Sequence, residues 1–185
     1  MSPGMIWSYR VFVLSYAFLI IWNSALQTPD EMRYLESIEI GKGTEVIRAD
    51  HASMCRFVPF YGEDLQVLKA LGASQQAYYV YNALLFCLFA GFFTAFLDRF
   101  VGSPGRNRIV AAATFLTSGM AVQWFVLSHY DRFISLFLAV FLWAFTTYEV
   151  RRRKWLLTVG FLCLGLACWQ TKESFFSVAL LFSLL

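Results

Sequence analysis

Long apolar runs alternate with short polar breaks along this chain. Five runs have the length of a bilayer crossing, at about residues 7–26, 76–97, 109–128, 133–150 and 155–169, because a span takes roughly 20 apolar residues. A sixth begins at Ser174 and reaches Leu185 after twelve residues. At about 1.5 Å per residue that is too short for a hydrocarbon core of roughly 30 Å. Either the chain continues in a longer protein, or its last helix is a stub. The pattern predicts an all-α membrane protein, one transmembrane domain over 1–185, with five complete spans and an incomplete sixth.

The longest polar interval, residues 27–75, is too patterned for a slack connector. Thr28-Pro29-Asp30-Glu31 places Thr at an N-cap, Pro at the first helical position and Glu three residues after Thr, a capping box with favourable N1 chemistry. Met32, Leu35 and Ile38 follow at spacings of three, and Gly41 is a plausible stop. This reads as an amphipathic helix with its stripe in the membrane interface. A second amphipathic helix is expected near 63–71, with Leu65, Leu68 and Leu71 on one side and Gly72 after it. Gly41, Gly43 and Pro59 mark irregular chain between the two.

Composition supports the membrane reading. Of 185 residues 59% are hydrophobic, 20 are Phe and 15% are charged, against roughly 45–50% apolar and about 25% charged in soluble domains. A net charge of +3, with its cations dispersed between apolar runs, argues against a nucleic-acid partner. Cys87, Cys163 and Cys168 lie inside apolar runs and Cys55 stands in a polar segment, so no disulfide framework follows. The first apolar run is longer than a signal-peptide core and has no small-residue cleavage pattern after it, which makes it a retained anchor.

Orientation follows from the basic residues. Arg99, Arg106 and Arg108 lie in one short loop, and Arg151, Arg152, Arg153 and Lys154 form a compact run. Both belong in the cytoplasm, and topology alone accounts for the second. The intervening connections, 129–132 and 170–173, each carry one cation and one carboxylate and fall on the opposite side with the 27–75 loop. Four clusters of ionisable groups then share the outer face: Asp30 and Glu31 with Arg33 and Glu36, His51 with Arg56, His129 with Asp131 and Arg132, and Lys172 with Glu173. Charges beside lipid are costly unless paired or wetted, so this convergence points to a site.

Each group also has a plain role. Acids in a first helical turn complement the helix dipole, and Glu31 completes the capping box. Asp30 is less fully explained, and a carboxylate there suits a general base toward a hydroxyl, or a ligand of a divalent cation with Asp131 as a second acid. Asp131 is otherwise the partner of Arg132 at a helix end. Arg56 and Lys172 are cations that suit a phosphate leaving group; otherwise Arg56 is a surface loop residue, and Lys172 pairs with Glu173 or snorkels. No His or Cys pair has zinc-ligand spacing. Trp22, Trp124, Tyr130, Trp155 and Trp169 read as interfacial belt residues, one or two of them able to stack on a sugar ring. There is no Walker loop, dinucleotide fingerprint or nucleophile elbow, so the substrate must reach the outer face without soluble nucleotide binding, as a lipid-linked one does.

The stretch Asp30-Glu31-Met32-Arg33-Tyr34-Leu35-Glu36 resembles the Asp-Glu-x-Arg-Tyr-x-Glu motif of the aminoarabinose transferases that modify lipid A and of their relatives in the protein mannosyltransferase clan. These are C-fold integral-membrane glycosyltransferases. Lys172-Glu173 resembles the Lys-Glu pair that opens a later outer-side helix in that family, and Arg56-Phe57-Val58-Pro59 resembles a short stretch in related bacterial transferases. The resemblance covers the amino-terminal half of such a membrane domain. It implies transfer of a sugar from a polyprenyl-phosphate donor to a lipid, glycan or protein acceptor at the outer face of a bacterial inner membrane. Asp30 and Glu31 would be catalytic, and Arg33, Glu36, His51, Arg56, Asp131, Lys172 and Glu173 would bind substrate. No cofactor is required by the resemblance, and a divalent cation is compatible with it. Two alternatives stand beside it: a transporter or flippase for a lipid-linked saccharide, which the lack of Pro in spans two to four, and of charge there other than Glu149 at the end of the fourth, disfavours, and a non-catalytic truncated membrane subunit.

Overall fold

The computed structural model describes residues 3–22, 29–40, 63–102, 104–117, 124–127 and 131–169. Among these the chain is all helix, with seven helices and no strand: α1 (Pro3–Trp22), α2 (Pro29–Glu39), α3 (Glu63–Ala70), α4 (Gln75–Phe100), α5 (Pro104–Thr117), α6 (Asp131–Arg151) and α7 (Lys154–Trp169). Three of them, α1, α2 and α5, begin with Pro, whose fixed φ and missing N–H cost nothing at a first helical position.

Two helices, α4 and α6, are long and apolar enough to cross a membrane. Shorter apolar stretches occupy Ile6–Trp22 and Lys154–Cys168. Five full crossings were the expectation from the run lengths. The helix in the third of those places, α5, has 14 residues, about 21 Å of helix, and its three basic or amide residues, Arg106, Asn107 and Arg108, sit in its first turns. Residues 118–123 and the sixth run from Ser174 lie outside the described residues.

Helix α4 is the hub. It packs against α1, α5 and α6, and α7 packs on α6. The core where α1, α4 and α5 meet is aromatic: Tyr16, Phe86, Phe89, Phe115 and Trp124 are all buried together. Phe86 meets Trp124 edge-on at 5.7 Å, and Phe89 stacks on the same indole at 5.3 Å, geometries that align ring edges with ring faces or offset the faces. Trp124 is therefore a core residue rather than the interfacial belt residue that its place near a span end suggested. Trp22 and Trp155, by contrast, are exposed.

Between α6 and α7 the backbone closes a tight turn at Arg152, which takes φ 53° and donates its N–H to the Tyr148 carbonyl at 2.7 Å. At the crossing of these helices Gly160 faces Ala144, and a Cβ built on Gly160 would lie 3.5 Å from the Ala144 Cβ and from Phe141. Small residues at that point let the two backbones approach.

The two amphipathic helices dock on the other end of α4. Gly72, at φ +80°, ends α3: its N–H reaches the Lys69 carbonyl at 2.8 Å, and the Ala73 N–H reaches Leu68 at 3.0 Å. That pair of bonds is a Schellman closure, and it turns the chain directly into α4. The expected stripe of α2 is corrected. Met32 is half exposed, and the buried face is Glu31, Tyr34, Leu35 and Ile38, the i, i+3, i+4, i+7 set of a helix. Its apolar members pack on Leu65, Tyr78, Tyr79 and Leu127, so this face meets protein rather than the membrane interface.

Candidate functional site

The ionisable residues divide between the two ends of α4. At its first turns, Tyr79 and Asn82 are buried, and at its last turn stand Asp98 and Arg99. Nineteen residues of helix separate Tyr79 from Asp98, about 28 Å.

At the first end Glu31 enters from α2 with no exposed surface. Its Oε1 accepts the Tyr79 hydroxyl at 2.9 Å and the Leu127 N–H at 2.9 Å. Leu127 is bound on its other side too, because Arg132, from the first turn of α6, donates through Nη1 to the Leu127 carbonyl at 3.0 Å. The same nitrogen reaches Asn82 Oδ1 at 3.4 Å, and the Asn82 amide donates to the Trp124 carbonyl at 2.6 Å. Arg132 Nη2 pairs with Asp64 Oδ2 of α3 at 2.9 Å, in a bridge whose side chains are 2% and 14% exposed.

The chemistry of each residue explains why it is inside. A buried carboxylate must accept hydrogen bonds and a buried guanidinium needs a counter-charge. A cation in the first turn of a helix opposes the helix dipole, so Arg132 is tolerable there only with Asp64 against it. Carbonyl and N–H groups of 124–127 precede α6 and would be orphaned without Asn82, Arg132 and Glu31. The result is one connected set of bonds from α2 through 124–127 to α3, α4 and α6. Asp64 Oδ1 and Arg132 Nε have no hydrogen-bond partner among the described residues, so the set retains capacity for another polar group.

The residues singled out from sequence fall as follows. Asp30 is the second residue of α2, next to Glu31, and is placed by its backbone. Arg33 and Glu36 lie on the exposed face of α2. Asp131 is the first residue of α6 and is half-buried. His51, Arg56, His129, Lys172 and Glu173 lie outside the described residues. The structure thus joins the Asp30-Glu31 corner to the start of α6 through Leu127. It adds Asp64, Tyr79 and Asn82, and it pairs Arg132 with Asp64. A lone Asn in an apolar run was the available signal for Asn82. Nothing local marked Tyr79 among so many aromatic residues. Among the described residues no three His, Cys, Asp or Glu side chains come together as a metal site.

The far end is built differently. Asp98 holds Arg108 by two bonds, 3.0 and 3.3 Å long, Asn107 caps the Leu97 carbonyl at 2.8 Å, and Arg99 bonds Thr147 and lies over Trp143 at 5.8 Å. The Arg99–Thr147 contact places the last turns of α4 and α6 side by side, so both basic loops used for orientation share this end. No family model, curated protein or solved structure matches the chain.

Proposed function

We propose that this chain is an integral-membrane glycosyltransferase domain that moves a sugar from a polyprenyl-phosphate carrier to an acceptor at the outer face of a bacterial inner membrane. The observation that carries the proposal is the burial of Glu31 with its two hydrogen bonds to Tyr79 and Leu127. It anchors the start of α2, and with it Asp30, at the end of the bundle opposite both basic loops.

Membrane placement has its own support. Helix α1 is apolar on its outer as well as its inner side apart from Ser8, Arg10 and Ser15: Tyr16, Ala17 and Ile20 are buried, while Trp7, Val11, Leu14, Phe18 and Trp22 are exposed. Exposed apolar residues in such number suit lipid, not water. The basic loops then face the cytoplasm and Glu31 faces outward.

In this reading Asp30 accepts the proton of an acceptor hydroxyl or amine. The acceptor oxygen or nitrogen attacks the anomeric carbon, the bond to the carrier oxygen breaks with inversion, and polyprenyl phosphate leaves with the electron pair. Arg56 and Lys172 stabilise the departing phosphate, and Arg33, Glu36, His51, Asp131 and Glu173 bind donor or acceptor. Glu31 works through Asp30, as its anchor.

The test uses proteoliposomes of the purified chain with a radiolabelled polyprenyl-phosphate sugar and membrane acceptor lipids. The expected result is release of polyprenyl phosphate by the wild type and its loss in Asp30→Asn, with insertion unchanged. Full turnover by Asp30→Asn removes Asp30 from the mechanism. Movement of label across the bilayer without consumption replaces the transferase by a flippase.

A further inference from the structure

At the basic end of the bundle, α1, α4 and α5 enclose a groove of about 480 Å³. It follows α4 from Cys87 to Asp98, three turns or about 16 Å. Its middle stretch is apolar and is opened by Gly91, where an added Cβ would meet no atom within 4 Å. Its polar residues gather where α1 and α4 near the basic loops: Tyr9, bonded to Thr94 at 2.6 Å, then Arg10, Asp98 and Arg108. Arg108 is held by Asp98 at 3.0 Å. Arg10 is exposed, lies over the Trp7 ring at 5.5 Å and has no carboxylate partner among the described residues.

We propose that this groove binds one anionic glycerophospholipid, its acyl chain along α4 between Cys87 and Gly91 and its phosphodiester against Arg10 beside the Asp98–Arg108 pair. Two guanidinium groups and one carboxylate leave one positive charge at the polar end, which complements the single negative charge of a phosphodiester. The apolar stretch, lined by Val13, Leu14, Cys87, Ala90 and Gly91, receives the headgroup-proximal part of one tail. The charged end of the groove, at Arg10, Asp98 and Arg108, lies at the end that carries the basic loops, where a membrane presents its anionic headgroups. The inference rests on the membrane placement and not on sugar transfer, so loss of the transferase reading leaves it standing.

The test is native mass spectrometry of the delipidated chain in a mild detergent, titrated with phosphatidylglycerol and phosphatidylcholine of identical tails. One phosphatidylglycerol should be retained with a preference of about fivefold, the equivalent of one basic residue near a membrane surface. Arg10→Gln should bring that preference to about unity while a lipid still binds, the same single contribution having been removed. Gly91→Trp, which fills the groove, should abolish the bound lipid whatever its headgroup; Gly91→Leu is the milder variant, and thermal melting verifies that each is folded. Equal retention of the two lipids by the wild type overturns the proposal. So does a folded Gly91→Trp or Gly91→Leu that keeps the lipid, or polyprenyl phosphate displacing phosphatidylglycerol one for one.

Discussion

Removing the hydroxyl from Tyr79 should loosen α2 and little else. In Tyr79→Phe the ring stays in its packed place, and Glu31 Oε1 loses its 2.9 Å hydrogen bond from the Tyr79 hydroxyl while keeping that from the Leu127 N–H. A hydrogen bond to a charged group contributes about 1.5–3 kcal/mol. Taking about 2 kcal/mol, and about 1.4 kcal/mol per tenfold, local opening of α2 becomes about 30 times more frequent. Glu31→Ala goes further, because it takes the acceptor from both the Tyr79 hydroxyl and the buried Leu127 N–H, at about 1–3 kcal/mol for each buried donor left unsatisfied, besides opening a cavity. Against this stand Leu35 and Ile38, nearly fully buried and contributing about 1.5–3 kcal/mol apiece, with the buried Tyr34 ring packed beside them. The sum leaves α2 marginally docked in Glu31→Ala and firmly docked in Tyr79→Phe. Hydrogen–deuterium exchange of the protein in nanodiscs, read by mass spectrometry, separates the segments. Exchange over 29–39 should rise about 30-fold in Tyr79→Phe, by the same conversion, and far more in Glu31→Ala, with α4 and α6 unchanged. Unaltered exchange over 29–39 in both variants would refute the assignment of Glu31 as the anchor, and equal loosening of α1 and α6 would make it a general core residue.

Other expectations concern the rest of the bundle. Asp64→Ala leaves the Arg132 guanidinium, 2% exposed, without its counter-charge and should cost about 3–5 kcal/mol, read as a lower melting temperature in detergent. Asp64→Leu combined with Arg132→Met should recover much of that loss, and a double variant no better than Asp64→Ala would show that the other Arg132 bonds dominate. Gly160→Ala meets Ala144 at ordinary contact distance and should be neutral or gain up to about 1 kcal/mol of helix propensity, whereas Gly160→Leu should wedge α7 from α6 and lower the melting temperature.

Much of the helical framework was readable from local chemistry. Pro29 begins α2 and Gly72 ends α3, as their local chemistry led one to expect; Thr28, the expected N-cap, lies outside the described residues. The buried face of α2 was not readable from apolar spacing. Steps of exactly three from Met32 drift around the helix, while the true face includes Glu31 and Tyr34, whose polar atoms hide their burial from a hydrophobicity count. Run length likewise does not distinguish a side chain facing lipid from one facing another helix, which is why Trp124 was misplaced. The Arg132–Asp64 pair spans 68 residues, and no local pattern names a partner at that distance; the only hint was a cation set against a helix dipole.

The two ends of α4 enclose charge to different degrees. At the end with both basic loops, the Arg152–Glu149 pair has side chains 68% and 50% exposed, and water screens such pairs to about 0–1 kcal/mol. At the same end the Asp98–Arg108 pair is more sheltered, its side chains 25% and 16% exposed. At the other end Glu31 and Arg132 are almost wholly enclosed, so the effective dielectric is low and each charge acts strongly on its neighbours. Asp30 precedes Glu31 on the same helix, so its backbone is held by the burial of its neighbour. The proposed sugar transfer therefore stands or falls on Glu31: if its burial does not hold the start of α2 in place, nothing holds Asp30 at that end of the bundle.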